Sequence, residues 1–538
     1  MDSRRRTVAE LVAGRWGDHR PGLWFEGRAL THHEVAAGAA ARAALLGDLL
    51  PGPGAHIGVL LDNTPEFPLW LSAAALARAA VAGINPTRRG PELARDILHT
   101  ECRLLITEPS QLPLLRGLDL PGVRLLVTGS EEYDTLLAPY AGAEPDATRA
   151  TPEDRLLLYF TSGSTGAPKA ALCSQGRLAA AGRSLADQFR LGPDGVHYIC
   201  MPMFHGNAVI ADWAPALASG AGVALRRRFS ASEFLADVRA YRATYFTYVG
   251  RAIQYVLATE PREDDRDNPL RLGFGTEAGA ADAAAFERRF GVRLVEGYGS
   301  SEGGAAIQWS PGTPRGAVGR AGPGLVVLDR ETGVECPPAR FDAAGRLLNG
   351  DEAIGELVNR APNPFEGYWR NPEADAERRR DGWYWTGDLF YRDRDGYLYF
   401  AGRTDDRIRV DGENLAAAMI ENILARYEGA VAVAVYAVPD PVTGDQVMAT
   451  IAGTFDPVGF TDFLAAQPDL GTKMAPRYVR VVDRMPTTAT NKINRALLRK
   501  EGLNCTDPIW TRENAEGPFA PTKGPSPVRR QGLEPRTR

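Results

Sequence analysis

The chain has 538 residues, beyond the size at which one hydrophobic core keeps growing, so at least two domains are expected. Hydrophobic residues make up 44% and charged residues 24%, with a formal net charge of −5; this suits an ordinary globular protein and argues against a nucleic-acid partner. The five cysteines (Cys102, Cys173, Cys200, Cys336, Cys505) are odd in number and scattered, which argues against a disulfide scaffold or a structural zinc site and points to the cytoplasm.

The basic start, Met1-Asp-Ser-Arg-Arg-Arg, is followed by no apolar core of a signal peptide. From about Leu23 to Thr107, β-rich runs (His56-Ile-Gly-Val-Leu-Leu, Arg103-Leu-Leu-Ile-Thr) alternate with Ala/Leu-rich helical stretches, predicting βαβ units and a parallel sheet. The apolar stretch Leu69 to Ile84 is interrupted by Arg78 and is shorter than the ~20 residues of a spanning helix, so it reads as a core helix and no membrane span is expected. Leu156-Leu-Leu-Tyr-Phe, the segment from Tyr198 to Met203, Tyr245-Phe-Thr-Tyr-Val and Arg293-Leu-Val-Glu continue the alternation.

After Asp388 the texture changes. Asp393-Arg-Asp-Gly reads as a hairpin turn between Leu389-Phe-Tyr and Tyr397-Leu-Tyr-Phe. A second domain is expected from Thr404: Ala416, Met419, Ile420, Ile423, Leu424 and Tyr427 share a helical face, strands follow at Ala430 and Tyr478, and a helix after Asn494. The expected division is 1–403, 404–505 and a flexible Pro/Gly/Arg-rich tail over 506–538, with no carrier-protein domain in the same chain. The expected fold class is α/β, a large N-terminal domain with parallel or mixed sheets followed by a small α+β C-terminal module.

Only five lysines occur among 62 basic residues, and two of them, Lys169 and Lys492, sit in motifs suited to phosphate chemistry, where a compact ammonium serves as a point charge. In Thr161-Ser-Gly-Ser-Thr-Gly-Ala-Pro-Lys169 the glycines let backbone N–H groups approach an anion and the hydroxyls add donors; the spacing is not that of a Walker A loop. Alone, such a run is more often a plain turn. Tyr298-Gly-Ser-Ser-Glu302, Trp385-Thr-Gly-Asp388, Gly402-Arg-Thr-Asp-Asp-Arg and Thr490-Asn-Lys492 follow in order.

With these motifs the chain, over about residues 20 to 502, resembles the adenylate-forming ligases: acyl-CoA synthetases, peptide-synthetase adenylation domains and luciferases. The resemblance implies ATP, Mg²⁺ and CoA as cofactors and a small-molecule acid as substrate. It implies a triphosphate loop of Thr161, Ser162, Gly163, Ser164, Thr165, Gly166 and Lys169, with Thr165 and Glu302 at the metal. By the same resemblance the nucleotide contacts Gly275, Thr276, Glu277, Gly297, Tyr298 (on adenine), Gly299, Ser300, Ser301, Asp388 (both ribose hydroxyls) and Arg403. Lys492 bridges the substrate carboxylate and the α-phosphate, Lys169, Glu302 and His205 complete the catalytic set, and Asp405 is the hinge about which the C-terminal module rotates as a mobile lid to present Gly412-Glu-Asn414 for the second half-reaction.

Ile84-Asn-Pro-Thr-Arg-Arg-Gly, Met203-Phe-His-Gly-Asn207 and Tyr245-Phe-Thr-Tyr-Val-Gly250 are similar to the fatty-acid transport protein type of acyl-CoA synthetase. In that type His205, Val249, Gly250, Thr276, Glu277 and Gly299 line the acyl pocket. Ala170, Asn491 and Ala417 depart from the family pattern, and Glu277 is an unusual charge for an apolar pocket, better matched to a polar or aromatic acid. The leading expectation is an acyl-CoA synthetase. A diazotase that adenylates nitrite and diazotises an aryl amine is the alternative, and a nonenzymatic nucleotide binder is disfavoured by the presence of Glu302 and Lys492.

Overall fold

In a computed structural model the described residues are 6–161, 169–300, 302–305, 307–343, 346–361, 365–410, 413–440, 444–488, 492–513 and 517–522, with the side chains of 280, 308, 405, 413 and 414 outside that set. Among them, two sheets form the core of the body. One runs in the order Arg124–Val127, Leu104–Thr107, His56–Leu60, Ala80–Gly83, Arg155–Thr161, Lys169–Ser174; it is parallel except for the final hairpin. The other runs Arg293–Glu296, Leu272–Thr276, Tyr245–Val249, Val196–Ile199, Gly222–Leu225, Pro21–Phe25, Arg28–Thr31 and is parallel up to its last pair. His56–Leu60 and Tyr245–Val249 are buried along their whole length, which is why they read as unbroken runs: a parallel sheet covered on both faces has no polar side.

The apolar stretch from Leu69 to Ile84 is not one helix. Arg78 adopts φ +57° and ends the helix Glu66–Ala77, after which the chain turns into the buried strand Ala80–Gly83. No helix among the described residues is long and apolar enough to cross a membrane.

A third, antiparallel sheet follows, in the order Ile307–Gln308, Gly319–Ala321, Tyr397–Arg403, Trp383–Arg392, Gly355–Asn359, Leu325–Leu328. Its central hairpin closes at residues 393–396 as expected, and its register sets Asp388 opposite Arg403. The chain then passes through the short 3₁₀ turn Thr404–Asp406 into a second unit. There the strands Ala430–Asp440, Gly444–Gly453 and Tyr478–Val482 pack against the helix Ala417–Leu424 on one face, and the helix Arg495–Glu501, capped by Asn494, packs on Ala430–Asp440.

The described residues of the expected tail, 506–513 and 517–522, pack on the second unit. Ile509–Thr511 pairs with Tyr478–Val482, Ala520–Pro521 pairs with Ile509–Thr511, and Phe519 is buried beside Phe460 and Phe455. Three large apolar residues are too few to build a core, but they are enough to extend one already made by the preceding hundred residues. Residues 523–538 lie outside the described set.

Candidate active site

The loop from Ser162 to Pro168, including Gly163, Ser164, Thr165 and Gly166, lies outside the described residues, but its ends are fixed. Thr161 and Lys169 face each other across the ladder of the closing hairpin, and the Thr161 hydroxyl lies 3.4 Å from the Lys169 carbonyl oxygen. Lys169 is 8% exposed; its Nζ contacts Glu377 Oε2 at 2.8 Å and lies 5.7 Å from the centre of the Tyr368 ring. The Tyr368 hydroxyl in turn donates to Oε1 of the buried Glu302 at 2.8 Å. Lys169 and Glu302, the lysine expected at the triphosphate and the carboxylate expected at the metal, are thus both neighbours of Tyr368, one near its ring and the other at its hydroxyl. Ser300 Oγ accepts the Gly303 N–H at 3.3 Å, and Ser301 is outside the described set.

Asp388 is buried. Its Oδ2 accepts the Tyr298 hydroxyl at 2.7 Å and its Oδ1 lies 3.2 Å from Arg403 Nε. Burial pushes its carboxyl upward while Arg403 and Tyr298 pull it down. The preceding Gly387 has φ +73°, and a Cβ there would lie 2.2 Å from the Arg378 guanidinium, so only glycine allows the backbone to turn here and present the Asp388 side chain. Tyr298 stands edge-on to Phe390 at 4.9 Å between ring centroids, which fixes the hydroxyl that meets Asp388.

The expected acyl-pocket residues lie at the carboxyl ends of parallel strands, where open α/β sheets bind their ligands. Val249 and Thr276 are register partners that end adjacent strands, Gly275 is paired with both Tyr248 and Glu296, and Gly297 follows the next strand with its N–H on the Gly275 carbonyl. A Cβ on Gly299 would meet nothing within 4 Å, so the backbone there borders open space. Glu277 adopts φ +69°, a left-handed conformation that costs a non-glycine residue about 1–3 kcal/mol and is typical of functional turns. Two neighbours hold it there. A Cβ on Gly250 would lie 1.7 Å from the Glu277 carbonyl oxygen, so the turn packs directly on the Gly250 backbone. Glu296 Oε1 accepts the Ala278 N–H at 3.1 Å and the Tyr248 hydroxyl at 2.8 Å.

His205 opens the segment that leads into the π-helical turn Val209–Trp213. Such turns recur at functional sites, and this one is anchored from inside: the buried Asp212 meets His197 Nδ1 at 3.0 Å and accepts the Thr247 hydroxyl at 3.0 Å. Burial pushes the His205 imidazole down to about 4; the Lys492 ammonium acts in the same direction, and Glu302 and Glu277 act against it. Four residues predicted for the site, from three separate motifs and both structural units, are therefore electrostatic neighbours.

Lys492 reaches the body directly. Its Nζ lies 2.7 Å from Glu277 Oε1, with the two side chains 38% and 44% exposed. Lys492 exchanges hydrogen bonds with Thr488: its carbonyl accepts the Thr488 N–H at 2.7 Å and its N–H donates to the Thr488 hydroxyl oxygen at 3.2 Å. At the junction, the Thr404 hydroxyl donates to the Gly387 carbonyl at 3.1 Å, tying the connecting turn to the Asp388 bend. The side chains of the expected hinge residue Asp405 and of Glu413 and Asn414, together with Gly412, lie outside the described residues.

Glu377, Tyr368, Glu296 and Arg378 were not singled out from sequence. None belongs to a phosphate-binding pattern: Glu377 holds Lys169, Tyr368 holds Glu302, Glu296 braces the Glu277 turn and Arg378 donates to the Trp385 carbonyl at 3.4 Å. A separate surface cavity of about 590 Å³ is lined by Asp62, Arg226, Arg227 and Arg228 among others, with every one of these arginines paired to a carboxylate; it shares no lining residue with the site.

Residues 10–369 match the family model described as AMP-binding enzyme, and residues 419–492 match the AMP-binding enzyme C-terminal domain. The chain belongs to the AMP-binding, adenylate-forming family. It is 49% identical over 520 residues to steroid-22-oyl-CoA synthetase of Rhodococcus jostii, covering 95% of this chain and 94% of that one. It is 45% identical over 512 residues to the medium/long-chain-fatty-acid–CoA ligase FadD17 of Mycobacterium marinum, covering 94% and 98%. The solved structure of ATP-bound MatB from Rhodopseudomonas palustris is similar with a TM-score of 0.79 at 25% identity, covering 91% of this chain and 98% of that one. The protein is an ATP-dependent ligase of the acyl-CoA synthetase kind: it forms an acyl-adenylate and transfers the acyl group to CoA.

Proposed function

We propose that the acid is a large apolar one, a medium- or long-chain fatty acid or a polycyclic acid of the steroid type. The support is the identity of the two relatives that this chain matches almost end to end. The polar or aromatic acid expected from sequence rested on the Glu277 carboxylate facing the substrate; that carboxylate has Lys492 as its counter-charge, so it no longer calls for an amine or hydroxyl on the ligand. The same contact removes the specific support for a nitrite-dependent diazotase.

In this reading the substrate carboxylate oxygen attacks the α-phosphorus of ATP, the bond to the β-phosphate breaks and pyrophosphate leaves. The CoA thiol then loses its proton, its sulfur attacks the acyl carbonyl, and AMP departs. Lys492 brings a positive charge to the point where two anions must meet. Asp388 takes the ribose hydroxyls: each of its oxygens has two lone pairs, so its bonds with Tyr298 and Arg403 leave acceptor capacity. Lys169, released from the exposed Glu377, turns to the phosphates, and His205 stays neutral at physiological pH and lines the acyl side.

Glu302 fits a Mg²⁺ site of the usual nucleotide type, one buried carboxylate plus substrate phosphates, with Tyr368 orienting one oxygen; the ion would supply neutralisation of phosphate charge. The single observation that carries these roles is the 2.7 Å contact of the small unit's Lys492 with a carboxylate at the body's cleft, beside His205 and Glu302.

The test is ATP–pyrophosphate exchange and CoA-thioester formation over fatty acids, steroid carboxylates, benzoates and nitrite with an aryl amine. Thioester formation with the apolar acids is expected. Turnover of benzoates alone, or of nitrite with the amine alone, would overturn the assignment.

A further inference from the structure

We propose that Glu277 is the positioning residue of the lid: its carboxylate docks Lys492 over the cleft before any ligand arrives, biases the lid toward the adenylation orientation, and is exchanged for the substrate's carboxylate when the acid binds. This rests on the reading of Lys492 given above and deepens it.

The docking point is built. Glu277 is held in a left-handed conformation, its carbonyl oxygen against the bare backbone of Gly250 and the N–H of Ala278 on Glu296. These constraints direct a charged side chain of the body toward a lysine 215 residues away in sequence. The charges around Glu277 explain the direction of the bias. From the body its charge interacts with Glu296 and His205; from the lid it meets Lys492 directly and feels Arg495, whose guanidinium is itself held by Glu421 at 2.7 Å. Lys169, the nearest cation of the body's phosphate motifs, is occupied by Glu377. Lys492 is the lid cation in direct contact with this part of the body, and its partner there is the Glu277 carboxylate.

The pair is half exposed, and such pairs are individually weak, which suits a contact that must be given up on every turnover. A bias of that size corresponds to a population shift of about two- to fivefold. A substrate carboxylate replaces Glu277 like for like at Lys492, so closure ahead of binding does not trap the lid.

The experiment compares wild type, Glu277→Gln and Glu277→Asp in the full chain. Lid orientation without ligand is read by fluorescence transfer between dyes at the exposed positions Val431 and Val334. The two half-reactions are measured separately, as ATP–pyrophosphate exchange and as capture of presynthesised acyl-adenylate by CoA. E277Q is expected to lower the docked population and the exchange rate about two- to fivefold and to lower thiol capture by a smaller factor, with E277D retaining part of the bias. High salt should reproduce the E277Q lid distribution in wild type and leave E277Q itself unaltered. An E277Q lid distribution identical to wild type, or equal losses in both half-reactions, would overturn the proposal. A protein active on none of the acids would sink the functional reading, and the fluorescence measurement would still decide the docking.

Discussion

Gly250→Ala tests whether the Glu277 turn is set by contact with the backbone beneath it. The added methyl would sit 1.7 Å from the Glu277 carbonyl oxygen and 2.3 Å from its carbonyl carbon, so the turn has to retreat until the first distance is at least 3.0 Å. The obstacle is backbone on both sides and has no flexible end to swing away. Overpacking of this kind costs about 1–3 kcal/mol. The retreat also strains the Ala278–Glu296 hydrogen bond and draws the Glu277 carboxylate away from Lys492. Because losing the Glu277–Lys492 contact altogether lowers exchange about two- to fivefold, ATP–pyrophosphate exchange should fall by about that factor. Exchange is measured alongside the urea midpoint of the body, with Gly142→Ala as control, since a methyl at that position meets nothing within 4 Å. A wild-type exchange rate with an unshifted midpoint would refute the reasoning.

Lys492→Ala should abolish pyrophosphate exchange while leaving thermal unfolding and thiol capture of supplied acyl-adenylate intact, because the side chain is half exposed and, in the proposed mechanism, acts in the first half-reaction; retained exchange would remove it from that mechanism. Loss of solvent around Glu296 raises its carboxyl from the ordinary 4.5 to about 7, so the folded protein holds a proton that the unfolded chain has released. Its contribution to stability is full below 4.5 and is lost as the pH rises through 7. Glu296→Gln should therefore lose less stability than wild type across that window, and parallel stability–pH curves would contradict the assignment. Phe519→Ala, emptying a site between Phe460 and Phe455, should destabilise the C-terminal unit by about 3–5 kcal/mol in denaturant titration; an unchanged midpoint would return residues 506–522 to the status of a tail.

The family was legible because adenylate chemistry fixes residue types over short spans. The short motifs Trp385-Thr-Gly-Asp388 and Thr490-Asn-Lys492 are local sequence features, readable whatever surrounds them. The buried parallel strands were legible for a similar reason, since a run such as Tyr245–Val249 has no solvent side to interrupt it.

The partners of those groups were not legible. Glu377 holding Lys169, Tyr368 holding Glu302, and Glu296 bracing Glu277 are contacts between segments with no common periodicity, and each could equally have been a solvated side chain. Glu277 shows the difference most plainly: as a residue in a row it suggested a polar substrate, and as a point in space it is the counter-ion of Lys492. Likewise the short strands after Thr506 have too little apolar surface to fold alone, and they become strands because a sheet edge and an aromatic cluster are already there to receive them. The amino-acid order determined which chemical groups this ligase carries. The tertiary structure decided which of them meet, because a charge has its partner set by distance in the folded chain and leaves no trace of that partner in its own neighbourhood.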